Sequence, residues 1–205
     1  MPKRSDFEKR VKGSIEASIA VKGLLLSDAE AVSTVAEVSM LLIDSLMKGN
    51  KVLLFGNGGS AADAQHIAAE FVGRFAFERR ALPALALSVN TSCVTAIGND
   101  YGFDLVFSRQ IEALGREGDV AIGISTSGNS QNVLQGLSAA RKLGLSTVAL
   151  TGCNGGKLKS AVDHCICAPS NETPRIQECH LLIGHIICEL VERTIFPEQS
   201  CGSGS

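Results

Sequence analysis

No run of lysines or arginines and no basic tail occurs in the chain, and its formal net charge is −2. Without a concentrated positive field, nucleic acid and anionic membrane surfaces are poor partners. No uncharged apolar run approaches the roughly 20 residues that span a bilayer. The opening MPKRSDFEKR lacks the apolar core of a signal peptide. A cytoplasmic protein that binds neither nucleic acid nor membrane is expected. The Cys-x-x-Cys pattern is also missing. Seven cysteines stand at 93, 153, 165, 167, 179, 188 and 201, an odd number, most of them inside apolar segments. This argues against a disulfide framework and for buried free thiols in a reducing compartment. There is no internal repeat and no linker.

What is present suits one globular unit: 205 residues, 45% apolar and 20% charged, enough to bury a real core. Residues 6–48 read as helix. Phe7, Val11, Ile15 and Ile19 mark one stripe at four-residue spacing, and Val35, Val38, Leu41, Leu42, Ser45 and Leu46 mark another. Ser27, with Glu30 three residues on, fits a capping box that starts a second helix. Short apolar runs then follow at 51–55, 84–88, 120–124, 146–150 and 164–167, alternating with helical sequence, and the last helix covers about 173–196. Such alternation predicts an α/β fold, a three-layer αβα sandwich around a five-stranded parallel sheet. The expected organisation is N-terminal helices over 1–50 that pack on the core and serve oligomerisation, an α/β domain over 51–197, and a flexible tail over 198–205.

Open parallel sheets bind ligands at the carboxyl ends of their strands, beside the switch point. Two loops there have unusual composition. Gly56-Asn57-Gly58-Gly59-Ser60 joins the first strand to a helix. Its glycines let backbone approach a ligand, and the helix N-terminus supplies free amides and positive potential. Gly56, Gly58 and Ala61 also match a dinucleotide fingerprint, but the second strand ends in Leu87-Ser88-Val89-Asn90 without the acidic residue an NAD site needs. Ser125-Thr126-Ser127-Gly128-Asn129-Ser130 offers four hydroxyls and an amide between strand and helix, which suits an oxyanion held by neutral donors. One such loop would pass for a Ser/Thr-rich cap. Two in one small domain favour a phosphate ester.

His66 and Glu70, four apart, share one face at the start of the helix after the first loop. On a surface helix that pair is usually a solvated contact; its position beside the Gly-rich loop gives it chemical interest. The last helix carries Gln177, Glu178, His180 and His185. By spacing alone Glu178 and His185 share a face best, whereas Gln177 and His185 are separated by roughly 12 Å of rise and about 80° of rotation. His164 and His180 read as structural or exposed.

The motifs GNGGSAADAQH, AEFVGRF, AIGNDYGFD, GISTSGNS and TPRIQECH, in this order, resemble the sugar isomerase (SIS) domain family, and within it the phosphoheptose isomerases. The resemblance covers nearly the whole chain. It implies a SIS, flavodoxin-like sheet and an aldose–ketose isomerase that converts D-sedoheptulose 7-phosphate to D-glycero-D-manno-heptose 7-phosphate, the first step of heptose supply for bacterial surface polysaccharide. It selects His66, Glu70, Gln177 and His185 as ligands of one zinc per subunit. Asn57, Gly58, Gly59, Ser60, Glu70, Asn99, Asp100 and Gln177 would contact substrate; Ser125, Thr126, Ser127 and Ser130 would hold the phosphate, with Arg74 as a further anion contact. Glu70 is the candidate base and His185 the candidate acid. A residue bound tightly to zinc is a weaker proton carrier, so either the metal is loosely held or one of the two is mainly a ligand. Family members assemble as homotetramers with sites at subunit interfaces. Pro174 departs from relatives that carry aspartate there. The rival reading is a non-catalytic SIS protein that binds a replication initiator or senses a sugar phosphate. The ending Thr194-Ile195-Phe196-Pro197 is similar to the initiator-binding relative, which lacks the glutamate and final histidine matched by Glu70 and His185.

Overall fold

Val52 and Leu54 of strand β1 (Val52–Gly56) project to one face of the sheet and Leu53 and Phe55 to the other, and all four are fully buried. A strand apolar on both faces requires helices above and below it. The computed structural model, which describes residues 3–197, has that architecture. β1, β2 (Ala84–Ala86), β3 (Val120–Ser125), β4 (Ser146–Thr151) and β5 (His164–Cys167) form one parallel sheet in the order β2-β1-β3-β4-β5. The predicted five-stranded parallel sheet is therefore present.

Helices α1 (Arg4–Ser27), α2 (Ala29–Met47), α3 (Gly59–Val72) and α7 (Thr173–Ile195) cover one face. Val38, Leu42, Leu46, Ile67, Phe71, Ile183, Ile187 and Val191 build that core with Leu54 and Ile122. Helices α4 (Thr91–Tyr101), α5 (Ser108–Leu114) and α6 (Gln131–Lys142) lie on the other, where Phe55, Phe107, Ile111, Val133 and Leu137 meet. Gly123 of β3 has no side chain to spare: a Cβ there would stand 2.7 Å from Leu137 Cδ1 and 2.8 Å from Val133 Cγ1. Helix α6 thus sits hard against the strand that carries the serine loop.

Local details differ from the sequence reading. The cap of α2 is Asp28, whose side chain accepts from Ala31 N at 3.0 Å, while α1 continues through Ser27 and that hydroxyl donates back to Gly23 O at 3.1 Å. A carboxylate one residue closer to the helix outcompetes the hydroxyl. β2 stops at Ala86, and α5 was not anticipated. The stripe on α2 is largely buried, whereas Phe7, Val11, Ile15 and Ile19 on α1 remain 57, 59, 55 and 65% exposed. Among the described residues these four stay largely uncovered. The expected tail at 198–205, with Cys201, lies outside the described residues.

Candidate active site

The order of the strands reverses between β1 and β3, and the two glycine- and serine-rich loops leave the sheet side by side there. A Cβ on Gly56 would lie 2.7 Å from Ile124 O and 2.8 Å from Ser60 Cβ, so the first loop closes tightly over β3. Gly58, the residue before α3, has φ +56°, a left-handed conformation that glycine adopts without strain. Asn57 and Asn132 exchange reciprocal amide hydrogen bonds of 2.8 and 2.9 Å, tying the first loop to the start of α6. Ser60, expected among the substrate contacts, is only 4% exposed, and its amide donates to Asn57 O at 3.0 Å.

In the second loop Ser125 Oγ lies 2.9 Å from Ser130 Oγ and 3.4 Å from Ser127 Oγ. Asn129 N donates to Ser127 Oγ at 3.2 Å, and Gly128 turns the chain with φ +64°. The turn is braced from below: Gly152 N donates to Thr126 O at 3.0 Å and Leu158 N to Gly128 O at 3.1 Å. Ser130 does not cap α6 with its side chain. The first amides of α6 are thus left without a side-chain cap next to a hydroxyl-rich loop, a composition that suits an anion held without a buried cation.

Helix α7 runs beside α3 in the same direction. Gln177 reaches Gly59, Gly184 crosses Ile67, His185 meets His66, and Glu192 binds the chain after α3. Gly184 sets the spacing, because a Cβ there would stand 2.6 Å from Ile67 Cδ1. Beyond the C-terminus of α3, Arg79 and Glu192 form an ion pair of 2.9 Å with both side chains 1% exposed. Arg79 also donates to the carbonyls of Glu70, Phe71, Gly73 and Arg80, and Glu192 accepts from Phe75 N and Ala76 N. The pair is fully hydrogen-bonded and fixes the backbone that carries Glu70. Sequence reasoning missed both residues.

His66 Nε2 lies 2.8 Å from His185 Nε2 and 3.4 Å from Glu70 Oε1. One ligand atom from each residue falls within 4.8 Å of the others, so the three could hold a metal ion; His66 is exposed and the other two are partly buried. The ring of Phe75 closes one side, 5.7 Å from that of His185. Gln177 contacts Gly59, two turns before His66 on the same face of α3. Asp63, one turn before His66, was also missed: burial raises its carboxyl, the charge of His66 opposes, and its Oδ2 has no partner.

Other expected residues have other partners. Asn99 donates to Asp100 Oδ1 at 2.8 Å near the end of α4, and Asp100 lines a 640 Å³ groove with Tyr101 and Arg109. Arg74 makes an exposed ion pair with Glu78 at 3.3 Å. Within the described residues no hydrogen bond ties Asn99, Asp100 or Arg74 to either loop. His180, read as structural or exposed, is structural: fully buried, with its Nε2 3.0 Å from Thr151 O.

Comparison with known proteins follows the same lines. The SIS domain model matches residues 22–152. A phosphoheptose isomerase of Aneurinibacillus thermoaerophilus is 55% identical over 186 residues, covering 91% of this chain and 94% of the relative. The solved phosphoheptose isomerase of Neisseria gonorrhoeae superposes with a TM-score of 0.85 at 44% identity, covering 91% of this chain and 98% of that one. That of Francisella tularensis gives 0.86 at 36% identity, covering 90% and 97%. The chain belongs to the SIS domain family and, within it, to the phosphoheptose isomerases.

Proposed function

We propose that this chain converts D-sedoheptulose 7-phosphate to D-glycero-D-manno-heptose 7-phosphate, supplying heptose for bacterial surface polysaccharide such as lipopolysaccharide. The observation that carries the reading is the meeting of His66, Glu70 and His185 beside two loops suited to a phosphate ester. Ser125, Thr126, Ser127 and Ser130, with the first amides of α6, take the phosphate. Asn57, Gly58 and Gly59 line the sugar, with Gln177 at Gly59.

The ketose becomes an aldose when a proton leaves C1 and returns at C2 through an enediol. Glu70 takes that proton from C1 and delivers it to C2. His185 serves the two oxygens, giving a proton to one and receiving it from the other. His66, Glu70, Gln177 and His185 would hold one zinc, and two imidazoles with oxygen donors suit it. When bound, it stabilises the negative charge on the enediolate oxygens. The thiols have no part in this site.

Homotetrameric assembly in the cytoplasm completes the proposal. The uncovered stripe on α1 supplies an assembly surface, with residues 1–50 as its carrier. Asn99, Asp100 and Arg74, which make no hydrogen bond to the loops of their own chain among the described residues, would then serve a neighbouring subunit. The non-catalytic alternative finds no support in an acid–base pair assembled across 115 residues of sequence.

The direct test incubates the protein with sedoheptulose 7-phosphate and looks for the aldoheptose phosphate; no product would end the proposal. Metal analysis of His66→Ala tests the zinc assignment, which full retention of zinc would overturn. In Glu70→Gln, zinc retained with turnover lost identifies a base, whereas zinc lost identifies a ligand.

A further inference from the structure

Strand β5 is an edge, hydrogen-bonded to β4 alone. Cys165 and Cys167 flank Ile166 on it and project from the same face, opposite Ala149 and Thr151. Their sulfurs stand 3.8 Å apart, and both residues are partly exposed. Thr151 Oγ1 lies 3.6 Å from Cys165 Sγ and 3.3 Å from Cys167 Sγ. The hydrogen bond from Cys165 pulls the Cys167 thiol down to about 6; burial and Glu30 oppose, while Thr151 and Lys159 assist. The same hydrogen bond, with burial, raises Cys165. The hydrogen bond between the two sulfurs thus favours a thiolate on Cys167 with the thiol of Cys165 beside it. Cys188, by contrast, is buried and pushed up to about 12, which makes it inert.

We propose that Cys165 and Cys167 form a thiol–disulfide exchange site that reacts with small-molecule disulfides and closes into an intramolecular disulfide. The Cys167 thiolate attacks one sulfur of the reagent, forming a mixed disulfide and expelling the other half as a thiolate. Cys165 then loses its proton to that thiolate and attacks Cys167 Sγ, expelling the second half. Two protein thiols are oxidised and one reagent disulfide becomes two thiols. Residues two apart on a strand have Cα atoms about 6.6 Å apart, inside the roughly 4.4–6.8 Å that disulfides span. Closure draws the sulfurs together to about 2.05 Å, and a strand with one free edge can bend to allow it.

The test treats the full-length protein with 2-hydroxyethyl disulfide at pH 7 and maps the products by mass spectrometry. Wild type should lose two hydrogens from the peptide holding both cysteines. Cys165→Ser should stop at a mixed disulfide on Cys167, and Cys167→Ser should react at this peptide about tenfold more slowly or less. Iodoacetamide alkylation of wild-type Cys167 should rise with pH through a midpoint near 6. Circular dichroism confirms that each variant is folded. Modification confined to the exposed Cys153, or a wild-type protein that stops at the mixed disulfide, would overturn the proposal.

Discussion

Glu70 and His185 sit on different helices, and each can be altered without disturbing the serine loop. If they act as base and acid, Glu70→Gln and His185→Gln should each lower kcat by a factor of roughly 10² or more while KM changes little. A folded Glu70→Gln enzyme with near-normal turnover would remove the base from the mechanism. Ser127 is exposed and bonded only within its own loop. Ser127→Ala should therefore raise KM by about tenfold, the value of a hydrogen bond to an anion, and leave thermal stability unchanged. His180 gives the protein an acid sensitivity of its own. Burial, opposed by the hydrogen bond to Thr151 O, lowers it from 6.5 to about 4, and its Nδ1 has no partner. Above pH 6.5 it is neutral in both folded and unfolded chains. As pH falls below 6.5 the unfolded chain takes the proton first, so stability declines until about pH 4, where the folded chain takes it too. Urea titrations over that window should show a loss of about 3 kcal/mol that His180→Gln removes.

At the scale of elements, the juxtaposition of α3 and α7 makes the site. Glu192→Ala would leave Arg79 buried and unpaired and should cost about 3–5 kcal/mol of unfolding free energy. A urea midpoint close to wild type would show that α3 does not depend on this clasp. The sheet was legible because each strand is a short apolar run between helices, and the serine and glycine loops were legible because glycine and hydroxyls concentrate there. Helix α5 was not, since seven residues are too few to display a helical period. Arg79 and Glu192 look like surface charges in the sequence, because burial of such residues depends on partners 113 residues away. The pairing of His66 with His185 was open on spacing alone, and the resemblance selected it. Its physical cause, the missing Cβ of Gly184, shows only once the helices are in place. The thiols, expected to be buried, divide instead: Cys179 and Cys188 lie inside, Cys153 is exposed, and the β5 pair is half-covered because an edge strand has no outer neighbour.

At the scale of the whole molecule, the exposed face of α1 bears on assembly. Its stripe continues toward a groove of about 280 Å³ lined by Leu25, Leu26, Val32, Val35, Ile186 and Leu190. Light scattering at micromolar concentration should give a tetramer, and Ile15→Glu should shift it toward smaller species; a stable wild-type monomer would count decisively against this. The parallel pairing of α3 and α7 also bears on time. The contact between His66 and His185 closes a loop of 119 residues, and so long a closure gives little reward to a chain that has just begun to collapse. The local β1–α3 and β3–α6 units can form first, with the α3–α7 clasp added after the rate-limiting step. Contacts made late protect against opening without hastening assembly. The clasp around Glu70 therefore acts as a latch on the native state, and its loss should appear in the unfolding rate while the refolding rate stays as it was.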